Sequence, residues 1–256
     1  MSCFVQLPNL PQNTDILLIG EKYAGLLQNS LQKLGISPIF VPDNPCVDSR
    51  LSGHVDLSVF HAGGERVYLA PYLKDNAFHK ALAEMGADII FPDVDQDKKY
   101  PRDAQLNACS VGKRFIYSPK VTALEIVNYF TGEKGSVCIP SRQGYAKCSI
   151  CVIDDNSIIT ADSGIAKAAE TSGLNVLRIS AGFIDLPGFK YGFIGGSAFR
   201  ISAHLIAFTG TLDNHPDKSA VLEFIHARGV EAVFLTDNTI FDIGSALPIC
   251  EKQDRK

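Results

Sequence analysis

Apolar positions along this chain recur in one order: a short run, a turn, a second short run, a helical stretch, a third run. The pattern is clearest over 54–92. HVDLSVF alternates with period two from His54, Gly63-Gly64 turns the chain, and ERVYLAP continues extended. LKDNAFHKALAEMG then places Leu73, Ala77, Leu82 and Met85 at roughly helical spacing before Gly86, and the apolar ADIIF runs up to Pro92. The short runs predict strands, and the helical spacing predicts a helix stopped by glycine. One strand–strand–helix–strand unit cannot bury its own apolar faces, so it must pack on copies of itself.

The copies are present. TDILLIG, YAGLLQNSLQKLG and ISPIFVP form a first unit that has only a short Pro-rich lead-in. The unit above is the second. YPRDAQLNACSVG, KRFIYSP, VTALEIVNYFTG and GSVCIP form a third. YAKCSICVI, SIITAD, SGIAKAAETSG and LNVLRI make a fourth, with Asp154-Asp155-Asn156 as its hairpin turn. YGFIGGSAFRISAH, LIAFTGTL, PDKSAVLEFIHARG and VEAVFLT make the fifth. Helix stops are expected at Gly35, Gly86, Gly132, Gly173 and Gly229, a cap at Asp162 or Ser163, and Pro216 in the first turn of the last helix. TIFDIGSALPIC near the C-terminus reads as an opening strand with no helix after it. The two ends therefore complete one unit between them, as in rings that protect their sheet edges by radial repetition. A single domain over 1–256 follows, with loose chain expected at 42–53 and after Cys250. A doubly wound sheet fits less well, because two strands precede each helix and no strand-to-helix turn carries a phosphate-type glycine pattern.

Composition narrows the function classes. At 256 residues and 46% hydrophobic the chain can bury a sizeable core. A net charge of −4 without a basic tract argues against nucleic acid as partner. No leader-like start or long apolar run is present, so the expectation is a soluble cytoplasmic protein that does not enter membranes. Seven scattered cysteines, Cys3, Cys46, Cys109, Cys138, Cys148, Cys151 and Cys250, read as reduced thiols and not as a disulfide framework. Cys148-x-x-Cys151 lacks the second ligand pair that a zinc site wants. No metal or cofactor is expected, and oligomeric state is left open.

A ring of five such units resembles the pentein fold, a five-fold α/β-propeller of ββαβ repeats around a central pore. That is the fold of guanidino-group-modifying enzymes such as arginine deiminase, agmatine deiminase and dimethylargininase. HVD at 54–56 is similar to the family's His-x-Asp, YPRDA at 100–104 to its Arg-Asp opening, and IGGSA at 194–198 and IGSAL at 243–247 to its glycine-rich openings. More narrowly, the chain looks like an uncharacterised bacterial branch of that superfamily.

In such a ring the start of each unit points at the pore. The resemblance makes His54, Asp56, Asp103 and Cys148 the catalytic candidates. Arg102, Lys147, Gly195, Gly196, Ser197, Asp242, Gly244 and Ser245 become candidates for substrate contact. Paired carboxylates can clamp a planar guanidinium, a thiolate can attack its central carbon, and His54 can move the proton. The chain also departs from the family. Arg200 and Pro248 stand about where a cysteine would follow the glycine-rich openings, Cys250 lies further along, and His-x-Asp precedes Arg-Asp. Two functions follow: an enzyme acting on a guanidino or amidino compound, or a catalytically inactive member binding a small cation or a macromolecule, as the ribosome-binding anti-association initiation factor of this fold class does.

Overall fold

The computed structural model describes residues 2–252. Its strands form five small sheets, four of three strands and one of four. In each three-stranded sheet the first strand runs antiparallel to the second, and the helix crossover makes the third parallel to the second. The second unit illustrates this with strands Val59–Gly63, Arg66–Leu69 and Asp88–Ile90 and the helix Ala77–Glu84. Its first strand is buried at four of five positions, while the third is buried at none. Burial therefore falls from the first strand to the third, as expected when first strands face a common centre.

The ends meet as the pattern predicts. Leu247–Lys252 lies between Ser2–Phe4 and Thr14–Gly20 and runs antiparallel to both, and Ser37–Val41 completes that sheet. Residues 253–256 of the expected loose tail lie outside the described residues, and 251–252 are strand. The segment 42–53, expected to be loose, is packed: Val47 and Leu51 are buried with Leu57 and Leu186. Neighbouring units join through apolar clusters. Between the second and third, Phe60 packs edge-on to both Phe115 and Phe130, which themselves stack at 4.1 Å.

Local expectations divide. Gly35, Gly86, Gly173 and Gly229 take the positive φ of a helix stop. Gly132 does not. Its helix, Leu124–Asn128, widens into a π turn over Tyr129–Glu133, and Gly135 at φ +60° takes over the stop. Asp162 is the cap of Ser163–Thr171, accepting from the Ile165 N–H at 2.8 Å. Pro216 sits ahead of the helix Lys218–His226, whose cap position is Asp217.

The larger correction concerns the openings, read above as strands. Val55–Leu57 and Arg102–Ala104 are 3-10 turns, and Ala146–Ser149 and Ile194–Ser197 are single helical turns, each leading towards the first strand. The alternation in HVDLSVF marks no exposed face, because every residue from 54 to 60 is buried. With no polar face to present to water, nothing holds residues 54–58 to a flat strand, and the strand begins only at Val59. A tight turn instead gathers several side chains at one end of each sheet.

Candidate functional site

Two of these openings deliver a buried cluster of three residues. His54 and Asp56 come from the second unit and Cys148 from the fourth, and one potential ligand atom from each lies within 4.8 Å of the others. The Cys148 thiol donates to Asp56 Oδ2 at 2.9 Å. Asn107, from the third unit, holds the thiol in place: its Nδ2 donates to Cys148 Sγ at 3.2 Å, and its Oδ1 accepts the N–H groups of Lys147 and Cys148 at 2.7 and 3.3 Å. Backbone bonds tie the openings together. The Asp56 N–H donates to Gly244 O at 3.1 Å, and Ile243 and Ser245 both donate to Gly196 O.

Above the cluster opens a cavity of about 280 Å³, with His54, Cys148 and Asp242 lining it beside Leu51, Tyr145 and Phe193. Asp242 is held in orientation, its Oδ1 accepting from Gly244 N–H and its Oδ2 from Phe193 N–H, both at 2.8 Å. His54 Nε2 and Asp56 Oδ1 are buried and have no hydrogen-bond partner among the described residues. An unmet buried polar atom costs about 1–3 kcal/mol, so the pair is a standing demand for a ligand with hydrogen-bonding groups.

Burial sets the electrostatics. It pushes the Asp56 carboxyl up to about 7, against the bond from Cys148 and the nearby Lys147 charge, which pull it down. Burial, then Asp56 and Asp242, raises the Cys148 thiol well above its ordinary value. Burial lowers His54, so that the ring is neutral at neutral pH, with Asp242 opposing the shift. A buried site with two acids and an unionised thiol favours a cationic guest.

Other candidates take different places. Asp103 is buried and raised by burial, but it meets the cavity only through Tyr145, whose hydroxyl donates to Asp103 Oδ2 at 2.5 Å. Lys147 is buried behind the thiol and donates to Ser245 Oγ at 2.6 Å. Ser197 Oγ bonds back to Phe193 O and Ile194 O within its own turn. The glycines allow close approach. A Cβ on Gly195 would overlap the backbone oxygens of Ile150 and Lys147, one on Gly196 the Asp242 carboxylate, and one on Gly244 the side chain of His54. Arg102 stands apart: half exposed, it pairs with Asp95 and Asp97 at the surface. Of the residues at the expected cysteine places, Arg200 is buried with its guanidinium on Ile153 O and Ser202 O, and Pro248 lies in the closing strand, with Cys250 further along it.

Asn107 and Tyr145 were missed by sequence reasoning. Both lie within or just before repeat openings, so position within the repeat was the available signal. Among the described residues, the His54, Asp56 and Cys148 atoms also form a three-donor set of the kind that holds zinc with one position open.

Comparison with solved structures places the architecture. The chain is similar to the inosamine-phosphate amidinotransferase of Streptomyces griseus, with a TM-score of 0.57 and 11% identity over 99% of this chain and 98% of that one. It is similar to an amidinotransferase of the saxitoxin biosynthetic pathway from Microseira wollei (TM-score 0.57, 9% identity, 99% and 98% covered). A third likeness is to the agmatine deiminase of C. jejuni (TM-score 0.54, 8% identity, 98% of each chain). At these identities the likeness establishes the fold: the ring is a pentein. No curated protein matches the sequence. Residues 18–247 do match one family model, and the chain belongs to that family, the Family of unknown function (DUF6873).

Proposed function

We propose that this protein is an enzyme that cleaves a C–N bond of a guanidino or amidino compound through a covalent intermediate on Cys148. The observation that carries the reading is the contact of Cys148 Sγ with Asp56 Oδ2 at 2.9 Å, beneath a cavity that also receives His54 and Asp242. Asp242 and Asp56 hold the cation. Its arrival between them offsets the negative charge that keeps the thiol protonated, so the nucleophile is released only once substrate is bound. Asp56 takes the thiol proton and sulfur bonds to the central carbon. The C–N bond to the departing nitrogen then breaks as that proton reaches the nitrogen by way of His54. The carbon is left as a cationic thiouronium on Cys148. Water attacking that carbon completes hydrolysis, and an amine in its place completes amidino transfer; in either case the C–S bond breaks and the Cys148 sulfur leaves and is reprotonated. His54 removes the proton from the attacking water or amine.

The test is alkylation by chloroacetamidine, with the site of modification read by mass spectrometry. Cys148 is expected to react selectively at neutral pH, and His54→Ala to lose that selectivity. Labelling no greater than in denatured protein would sink the covalent mechanism. Labelling unchanged in a chelator supports the thiol reading over a metal held by the same three residues. Neutral iodoacetamide gains nothing from the two carboxylates. Its rate at Cys148, normalised to a free thiol, is expected to be about ten-fold or more below that of the amidine near pH 7.5. It should still be climbing above pH 9, because the thiol is raised.

Asp56 carries a stability cost with a defined sign. Its folded carboxyl is raised to about 7, against about 4 in an unfolded chain. Its favourable contribution is therefore complete below about pH 4 and is lost as pH rises through about 7. Asp56→Asn cannot ionise. Relative to the parent chain it should gain about 2–4 kcal/mol between pH 4 and pH 8, read by urea unfolding at the two pH values. A difference that does not change with pH would contradict the raised carboxyl. The trade is typical of sites that carry strain for activity.

A further inference from the structure

The walls of the cavity say what the rest of the substrate is. Asp242, His54 and the Cys148 thiol are its reactive groups, while Leu51, Leu186, Tyr145, Phe189, Tyr191 and Phe193 form most of the remaining lining. Among the described residues, the only cationic side chain on the lining is Lys190, which is exposed. The neighbouring cations are engaged elsewhere. Arg50 makes paired bonds to Asp48, donates to Gly188 O at 2.7 Å and lies 4.2 Å over the Phe189 ring. Lys22 donates to Ser49 O and Arg50 O. A substrate with an amino-acid head would bring a carboxylate into this space without a buried guanidinium to receive it, and a desolvated carboxylate left unpaired is costly.

The cavity of about 280 Å³ leaves room beyond a guanidine for an arm of the substrate. Aromatic side chains surround that arm: the Tyr145 and Phe193 rings lie 6.1 Å apart and tilted, and Tyr191 meets Phe193 edge-on. Ring edges and faces of this kind suit an apolar or aromatic guest. The rim residue Phe189 is fixed from behind by Arg50, so the wall is built before any ligand arrives.

We infer that the substrate is a monosubstituted alkyl- or arylguanidine (or the matching amidine) whose arm is apolar and without an amino-acid head. This rests on the proposed function for the position of the cationic group, and adds the class of its substituent. It separates this site from one built for arginine or its methylated forms.

Calorimetric titration of the full chain with phenethylguanidine, hexylguanidine and arginine tests the inference without relying on thiol chemistry. Phenethylguanidine and hexylguanidine are expected to bind about ten-fold or more tightly than arginine, and Tyr191→Ala to reduce that ratio several-fold by weakening the apolar ligands alone. Arginine binding as tightly as either, or no binding by any of the three, overturns the inference. Chloroacetamidine labelling decides the proposed function separately. Selective labelling of Cys148 with arginine preferred removes the substrate class and keeps the mechanism. Apolar guanidines preferred with no labelling keeps the pocket and removes the mechanism.

Discussion

Cys148→Ser is expected to reduce turnover by about 10⁴-fold or more, on whichever guanidine the parent chain consumes from a panel of arginine, agmatine, methylated arginines and alkylguanidines. Released amine or ammonia gives the rate. Serine occupies the same place and can keep the bonds that Cys148 makes with Asp56 and Asn107. The thermal midpoint should therefore move little. What serine lacks is an anion within reach: a hydroxyl surrounded by Asp56 and Asp242 is far harder to ionise than a thiol, even with a cation in place. A variant that folds like the parent and retains a tenth or more of the rate would show that the covalent bond to residue 148 is not part of the reaction.

Gly195→Ala should cost about 3 kcal/mol or more and lower the thermal midpoint by roughly 10 °C. The added methyl would fall on the backbone oxygens of Ile150 and Lys147, and backbone in the turn that carries Cys148 cannot move aside as a flexible side chain can. Gly25 supplies the contrast. It lies within the helix Ala24–Lys33 with open space around its would-be Cβ. Gly25→Ala should stabilise by about 0.5–1 kcal/mol through the backbone freedom it removes. The two substitutions are chemically identical and opposite in sign. Equal effects would mean that the ring centre is not packed as described.

Much of this architecture was legible in the sequence because repetition multiplies weak local signals. One run such as ADIIF is ambiguous between strand and helix, but the same order recurring through the chain is not. The four true glycine stops and the pairing of Leu247–Lys252 with Thr14–Gly20 followed from that reasoning. The openings were misread because period-two alternation reports a strand only when one face meets water, and around His54 neither does. The placement of Asp103 could not be read, because the partner that takes one of its oxygens, Tyr145, lies in the next unit. Arg102 was drawn to the centre by its neighbour in the motif, yet Asp95 and Asp97, a few residues upstream, hold it outside. Asn107 fastens Cys148 across 41 residues of chain, a link set by three-dimensional neighbourhood alone.

The strand Leu247–Lys252, seated between Ser2–Phe4 and Thr14–Gly20, also fixes when the cavity can be completed. Asp242 and Gly244, which reach the cavity and the backbone of Asp56, immediately precede that strand. During synthesis the chain emerges from its N-terminus, so units two to five can assemble while the first sheet still waits for its partner. Until that last strand has left the ribosome, Cys148 and His54 face an incomplete pocket without the carboxylate of Asp242. A chain halted before residue 242 would therefore hold most of its units and lack the acid that lines the cavity.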